Sequence, residues 1–255
     1  MTNKLDRKIR KSAFMQYKNC KKAFWYNYND DERYDGYGGK SDNPVLQRGT
    51  DFHDSADKFF ENIQTFTADG FRAALPHGDY LHFYYDWFAK VEWQRYEDLE
   101  NKAWFKPLAC ELIVEGELVK GHVDRIDQVS ETELQIVEYK TGKSYDMSKS
   151  WAPTKMNAEI GFYARLIEEG KHYPNLKIKS WKVINPTLER QWVNNISPIS
   201  LKAVDKTVAE IVDKIKIKGT FRDKLDTVFP PTITPLCGWC PYTEDCLNRP
   251  YNDNE

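Results

Sequence analysis

The spacing of hydrophobic residues predicts that the first part of the chain is helical. Apolar side chains three or four residues apart predict a helix at 12–28, another with Thr50 as its N-cap, and one or two more within 78–105. The Asp- and Gly-rich segment 29–43 predicts a loop. Trp and Tyr dominate 78–105, and their helical spacing favours a packed core over a surface that stacks bases.

The pattern then changes to the period-two alternation of β-strands. Residues 109–140 contain two predicted strands, at 116–127 and 133–140, joined by a short polar link. The elements predicted after them are a helix from Thr154 to Gly170, a hairpin over 179–196 and a helix closing at Gly219. We therefore expect the α/β (α+β) class, with a central mixed β-sheet flanked by helices.

Composition limits the function only broadly. The chain has 255 residues, of which 40% are hydrophobic, so we expect one domain over 1–255, with two lobes as the alternative. Lys and Arg number 37 and Asp and Glu 39, which excludes a polycationic tail binder but allows a local basic cleft. No apolar run reaches the ~18 residues of a membrane span, and the N-terminus lacks a signal-peptide core. We expect a soluble protein of the reducing cytoplasm, with no membrane partner.

The two predicted strands bring carboxylates together. If they pair around the polar link, residues whose numbers sum to about 261–262 lie opposite one another. Asp124 and Glu138 then face each other, and their like charges repel. Leu134, Ile136 and Lys140 share the face of Glu138. An apolar face is thus predicted to end in two carboxylates and an ammonium group.

This arrangement indicates a site for a divalent cation. Carboxylate oxygens suit Mg²⁺ or Mn²⁺, and such an ion would relieve the repulsion between Asp124 and Glu138. The alternative is that Lys140 only pairs with Glu138 on a solvated sheet edge. Beside a metal ion, Lys140 would supply a point charge for a phosphate or for an attacking water. Phosphodiester hydrolysis is the reaction class that this chemistry favours.

The segments GHVDRID and IVEYKTGK resemble the core of PD-(D/E)XK nucleases as it occurs in the RecB-like group. The resemblance implies a restriction-endonuclease-like fold in which Asp124 and Glu138 bind metal and Lys140 is the catalytic lysine. The segment RGTDFH is similar to the upstream G-x3-H motif of the group, which implies that His53 is a further metal ligand. Glu111 matches an acid that precedes the hairpin in the family, with an ordinary strand-edge charge as the alternative.

The family also carries a Gln and a Tyr four residues apart on the helix after E-x-K. This chain has Glu159 and Tyr163 there, so the tyrosine matches and the glutamine does not. The resemblance implies substrate contacts at both positions, and the departure affects those contacts and not the metal site. A core position is the alternative for Tyr163. The motifs place the catalytic sheet core at 109–196 and leave a helical insertion, 64–108, unaccounted for.

The five cysteines include three in the pattern C-x2-C-x5-C near the C-terminus, and an odd count argues against a disulfide framework. Four of them occur in the order Cys20, Cys237, Cys240 and Cys246. That order resembles AddB-type nucleases and the fourth family of CRISPR-associated nucleases. The resemblance implies a [4Fe-4S] cluster that joins the helix at 12–28 to segment 230–250. A structural Zn²⁺ ion is the alternative, and Cys110 is expected to be a buried small hydrophobe.

The resemblance implies a metal-dependent DNA nuclease, and more narrowly an exonuclease on single-stranded DNA or DNA ends. Its partners would be DNA and a protein of a recombination, repair or CRISPR-adaptation-like complex. The alternative is a non-catalytic nucleic-acid-binding or assembly subunit with the same fold. The complete set of Asp124, Glu138 and Lys140 favours the enzyme, because a degenerate site is expected to lose at least one of them.

Overall fold

The computed structural model describes residues 8–29, 44–216 and 225–247. The chain divides into two compact units. The first consists of residues 1–39, 117–120 and 202–255, and the second of residues 40–116 and 121–201. Within the described residues, no helix has an apolar stretch that could cross a bilayer.

Helices and strands are interleaved along the chain. The first helices are α1 (Lys11–Asn19), α2 (Lys21–Asn29), α3 (Pro44–Asn62), α4 (Ala68–Ala73) and α5 (His82–Asp98). The strands are β1 (Ile9–Arg10), β2 (Ala109–Glu115), β3 (Val119–Gln128), β4 (Glu133–Tyr139), β5 (Lys177–Asn185) and β6 (Arg190–Asn195). The later helices are α6 (Ala152–Glu169), α7 (Pro198–Lys216), α8 (Leu225–Val228) and α9 (Thr243–Leu247), and 3-10 turns occupy Lys102–Phe105, Lys143–Tyr145 and Pro235–Trp239.

The described strands form one mixed sheet in the order β1-β3-β4-β5-β6, with β2 also paired to β3. The β1–β3 and β4–β5 pairs are parallel, whereas β3–β4 and β5–β6 are antiparallel. This arrangement confirms the predicted fold class, and β5 and β6 confirm the predicted hairpin at 179–196. The predicted register is also correct, since Arg125 lies opposite Val137 and Ile126 opposite Ile136.

Two helix boundaries differ from the prediction. The helix expected over 12–28 is interrupted at Cys20, whose extended backbone (φ −157°, ψ 112°) separates α1 from α2. The helix expected to begin at Thr50 begins six residues earlier, with Pro44 in its first turn, where the missing N–H of proline is tolerated. The Thr50 hydroxyl instead donates to the Leu46 carbonyl one turn back. The loop predicted at 29–43, apart from Asn29, and the helix end at Gly219 lie outside the described residues.

The insertion predicted at 64–108 packs against α3 and the sheet and forms an aromatic core. Phe52 and Phe59 of α3 contact Phe88 of α5 at ring-centroid distances of 5.5 and 5.3 Å. Tyr139 at the end of β4 meets Phe52 edge-on, and all four rings are buried. Burial of one such ring contributes about 1.5–3 kcal/mol. The aromatic residues of α5 therefore hold α3 against the end of β4.

A buried network of charges joins α5 to β3. The Arg125 guanidinium donates to both carboxylate oxygens of Glu92, at 2.8 and 3.3 Å, and to Asp127 at 2.7 and 2.6 Å. It also donates to the Tyr139 hydroxyl at 3.1 Å. Arg95 donates to Glu92 at 2.7 Å from the same helix. Burial alone would raise the pKa of Glu92, but Arg125 and Arg95 outweigh it and lower that pKa to about 2.

Glu92→Gln should lower the free energy of unfolding by about 3 kcal/mol at neutral pH, because a charged partner of a buried guanidinium is lost. The folded pKa of Glu92 lies below its unfolded value of about 4.3, so its stabilisation is present above that value and is lost as the pH falls towards 2. Urea unfolding should therefore show a difference in the free energy of unfolding between the wild type and Glu92→Gln that narrows below about pH 4.3. The control is Glu97→Gln, at an exposed position of the same helix. A difference that stays constant with pH would contradict this assignment.

Candidate active site and cysteine site

Asp124 is held at the point where β3 and β4 end their pairing. The backbone N–H of Tyr139 donates to Asp124 Oδ2 at 2.7 Å. The last paired residues of the two strands are Arg125 and Val137, so Asp124 and Glu138 follow directly at the open end of the pair. Burial raises the pKa of Asp124, and Glu138 raises it further. The carboxylate repulsion that the sequence predicts is therefore present in the folded protein.

His53 reaches the site from α3. Its Nδ1 atom lies 3.8 Å from Asp124 Oδ2 and 3.9 Å from Glu111 Oε1. Gly49, one turn earlier, allows the close approach of α3, since a Cβ there would lie 3.2 Å from the Thr141 hydroxyl. Burial lowers the pKa of His53, but Asp124 and Glu111 outweigh it and the net shift is upward. The imidazole thus lies among carboxylates that favour a positive charge.

Glu111 is directed into the site by an unusual backbone conformation. Its φ angle is +48°, in the left-handed region that residues other than glycine rarely adopt. Its Oε2 atom lies 3.1 Å from His122 Nε2, and the same nitrogen lies 2.8 Å from the Glu111 carbonyl oxygen. Such strain tends to occur at functional positions, where the surrounding structure imposes it. An ordinary charge at a strand edge would not require this strained backbone conformation or the contact with His122.

His53, Glu111 and Asp124 form a group whose ligand atoms all lie within 4.8 Å of one another. Two carboxylates and one imidazole are a donor set that Mn²⁺ and Mg²⁺ accept. A divalent cation would also offset the repulsion that raises the pKa of Asp124. The residues present therefore fit a metal ion of this class.

Lys140 lies next to this group, between two carboxylates. Its Nζ atom is 2.6 Å from Glu138 Oε1 and 3.3 Å from Glu159 Oε2. Glu138, predicted from the sequence as a metal ligand, is not a member of the compact three-residue group, although its charge acts on both Asp124 and His53. Glu159, where the family has Gln, is buried and directed at Lys140.

Tyr163 packs beneath the site in the core of the second unit. Its side chain is 2% exposed, and a Cβ on Gly121 would lie 2.9 Å from its ring. Burial raises the pKa of Tyr163 well above its ordinary value, and Glu138 and Asp124 add to this effect, so its hydroxyl stays protonated. Glycine at 121 is therefore needed for α6 to approach β3.

The comparisons with known proteins agree with this geometry. A sequence profile of the PD-(D/E)XK nuclease superfamily matches residues 11–247. The chain belongs to the PD-(D/E)XK nuclease superfamily. A search of curated proteins found no match. Among solved structures the chain is similar to a protein of Eubacterium rectale described as a candidate exonuclease. The identity is 14%, the match covers 99% of this chain and 91% of that chain, and the TM-score is 0.46.

This PD-(D/E)XK chain brings four cysteines to one cavity within the first unit. Its lining includes Cys20, Cys237, Cys240 and Cys246. The backbone N–H groups of Thr232 and Thr234 approach Cys20 Sγ and Cys237 Sγ at 3.5 and 3.4 Å. Stacking of Tyr26 on Tyr242 and an ion pair of 2.6 Å between Lys22 and Asp226 fix α2 against the C-terminal segment.

The remaining cysteine is not part of this group. Cys110 is half-buried, and burial raises the pKa of its thiol to about 12. It lies on β2, in the second unit, whereas the four others belong to the first. Cys110 does not line the cysteine cavity, and it is half-buried, where the sequence predicts a buried residue.

Two functional features of this nuclease-family chain were not found from its sequence. The Tyr139 N–H that holds Asp124 leaves no signal, because any residue except proline supplies a backbone N–H. His122, which contacts Glu111, precedes Asp124 by two positions, and this period-two spacing could have indicated it. Both features orient carboxylates of the candidate metal group.

Glu111→Gly and Glu111→Ala distinguish the contribution of the carboxylate to metal binding from the effect of the strained backbone on stability. Both should weaken Mn²⁺ binding about tenfold or more, because each removes one oxygen ligand. Only the glycine variant relieves the left-handed conformation, so it should be about 1 kcal/mol more stable than the alanine variant. Isothermal titration with Mn²⁺ and thermal melts without metal measure the two effects. Unchanged Mn²⁺ affinity, or equal stability of the two variants, would contradict the corresponding assignment.

Proposed function

We propose that this chain is a divalent-metal-dependent deoxyribonuclease that degrades single-stranded DNA or DNA ends as an exonuclease. The observation that carries the proposal is the group of His53, Glu111 and Asp124 within 4.8 Å, with the Lys140 ammonium beside it. Burial and the nearby Glu138 carboxylate raise the pKa of Asp124, and a divalent cation would offset that repulsion. The family supports the reaction class, and the geometry supports an intact site.

The roles divide among the residues by their chemistry. His53, Glu111 and Asp124 would hold Mg²⁺ or Mn²⁺, and Glu138 would add its charge from the paired strand. A bound ion of this kind offsets the negative charge that develops on a phosphate during hydrolysis. Lys140, held by Glu138 and Glu159, orients its ammonium for the phosphate oxygen or for the attacking water. Tyr163 supports β3 from below and keeps water out of the buried side of the site.

The mode of cleavage is supported by the sequence resemblance. The order of the hairpin and cysteine motifs resembles RecB-like and AddB-type nucleases, which favours action on ends in recombination, repair or DNA processing. A protein partner of a recombination or CRISPR-adaptation-like complex is part of the same proposal. The alternative, a non-catalytic nucleic-acid-binding or assembly subunit, predicts binding without cleavage and is tested by the same assay.

The wild-type protein with Mn²⁺ or Mg²⁺ should shorten linear single-stranded DNA, leave circular single-stranded DNA intact, and lose all activity in EDTA. Asp124→Asn, Glu138→Gln and Lys140→Met should each reduce the rate about 10²-fold or more, because Asp124 would hold the metal ion, Glu138 holds Lys140, and Lys140 supplies positive charge to the phosphate. Gel analysis of end-labelled substrates measures both results. Glu131→Gln, at an exposed position in the polar link, is the matched control and should retain full activity.

Each contrary outcome affects a different part of the proposal. Cleavage of the circle would replace the exonuclease with an endonuclease. Binding without cleavage in every metal would favour the non-catalytic subunit. Full activity of Glu138→Gln would remove that carboxylate from the site and leave the three-residue group to be tested alone.

We propose in addition that the four cysteines hold a [4Fe-4S] cluster. Its support is the cavity that all four line, with backbone N–H groups directed at two of the sulfur atoms, as at iron–sulfur sites. Cys20 has an extended backbone between two helices, so the direction of its thiol is not set by helical geometry. A tetrahedral Zn²⁺ ion is the alternative occupant for four thiolates. In either case the metal would stabilise the first unit and take no part in hydrolysis.

Protein purified without oxygen should be brown, with broad absorption near about 400 nm and about four irons per chain. Cys20→Ser should lose the colour and lower the melting temperature, because a ligand that closes a long chain loop is removed. Cys110→Ser, outside the cysteine cavity, should keep both. Metal analysis and optical spectra decide the outcome. A colourless protein with one zinc per chain would overturn the cluster and leave the nuclease assignment in place.

A further inference from the structure

The short turn after β4 carries an aromatic ring that lies near two ammonium groups. The centroid of the Tyr145 ring is 4.9 Å from Lys140 Nζ and 4.7 Å from Lys155 Nζ. Both distances fall within the ~6 Å range of cation–π attraction. The two ammonium groups are therefore no more than about 10 Å apart, with the ring of Tyr145 in contact with both.

The position of Tyr145 is fixed by the turn that carries it. Its N–H donates to the Gly142 carbonyl at 3.1 Å, and a Cβ on Gly142 would lie 3.3 Å from the Tyr145 ring. Asn185 donates to the same carbonyl at 3.0 Å, and the Thr187 hydroxyl donates to the Thr141 carbonyl at 2.6 Å. The turn that carries the ring follows β4 and Lys140, and it is hydrogen-bonded to Asn185 and Thr187 at the end of β5.

Lys155 differs from Lys140 in its charge partners. Lys140 lies between the carboxylates of Glu138 and Glu159. Throughout 8–29, 44–216 and 225–247, no carboxylate lies within ion-pair distance of Lys155 Nζ, and its contact is with the Tyr145 ring. Lys155 precedes Glu159 by one turn of α6, so both residues lie on the same face of that helix. Among the described residues, an ammonium without a carboxylate partner is therefore held beside the one next to the metal group.

We propose that Lys155 and Tyr145 form a subsite for the phosphate that neighbours the phosphate being cut. This inference rests on the proposed nuclease function, in which Lys140 lies at the scissile phosphate. Neighbouring phosphates of one strand are one nucleotide apart, and the two ammonium groups are no more than about 10 Å apart, so they are close enough to contact neighbouring phosphates. Lys155 supplies the charge, Tyr145 holds it in place, and the ligand is the backbone of single-stranded DNA. The subsite adds affinity for any sequence, because phosphates carry no sequence information.

Binding of fluorescein-labelled oligothymidylate, measured by anisotropy in EDTA over a series of salt concentrations, tests the subsite without cleavage. Lys155→Ala should raise Kd about three- to tenfold and reduce the slope of log K against log salt by about 0.7, the value for one lost single-strand phosphate contact. With Mn²⁺, KM for cleavage should rise while kcat stays constant, because the lost contact is made equally in ground and transition states. Lys155→Arg, which keeps the charge, should bind like the wild type.

The ring is tested separately from the charge. Tyr145→Phe keeps the aromatic face and should bind like the wild type, whereas Tyr145→Leu should reproduce part of the loss seen in Lys155→Ala. The matched control is Lys179→Ala, whose ammonium pairs with Glu133 at the opposite end of β4. It removes the same charge far from the site and should leave Kd and slope unchanged. Thermal melts establish that each variant is folded, and Lys155→Gln replaces Lys155→Ala where the alanine variant is unstable.

The outcomes distinguish this subsite from the function on which it rests. A wild-type protein that cleaves DNA, together with a Lys155→Ala variant of unchanged Kd, slope and KM, would overturn the subsite alone. A fall in kcat at constant KM would also overturn it, because Lys155 would then act in the chemical step. A wild-type protein that neither cleaves nor binds DNA would overturn the proposed function and the subsite with it.

Discussion

The antiparallel pairing of β3 with β4 determines where the chemistry of this protein lies. The pairing ends with Arg125 opposite Val137, next to Asp124 and Glu138, and the backbone N–H of Tyr139 holds the Asp124 carboxylate. A slip of β4 by one residue would turn Glu138 to the opposite face of the sheet and separate it from Asp124. Burial raises the pKa of Asp124, and the repulsion from Glu138 raises it further. The fold therefore maintains an unfavourable arrangement that a divalent cation would relieve.

The segment 64–108 supports this arrangement through α5, which packs against α3 and the end of β4. Tyr139 presents its N–H to Asp124 and its hydroxyl to Arg125, so one residue joins the acidic site to the buried charge network. Glu92 of α5 completes the network, and the rings of α5 fix α3, which carries His53. Buried ion pairs seldom add much stability over a well-packed apolar core, because desolvation of the charges offsets their attraction. We infer that the network's main contribution is to fix the orientation of β3 and β4.

Much of this could be predicted from the sequence, since it depends on periodicity. Alternation of apolar and polar residues defines the β3–β4 hairpin and its register, and hence the meeting of Asp124 with Glu138. The positions of Cys20 in a helix break, and of Glu111 in a left-handed conformation, could not be predicted, because each depends on tertiary contacts. The same holds for Lys155 and Tyr145, which are ten residues apart in the chain and meet only through the turn after β4. Local pattern thus predicts which strands carry the acids, and tertiary packing decides what surrounds them.

The most direct test of the account is anomalous diffraction at the manganese edge from crystals of the protein grown with Mn²⁺. The account predicts one anomalous peak within the second unit, with His53 Nδ1 and carboxylate oxygens of Glu111 and Asp124 at about 2.1 Å, and with Lys140 beside the ion but outside its ligand shell. Manganese found elsewhere in the protein, or at this position without Asp124 as a ligand, would contradict it.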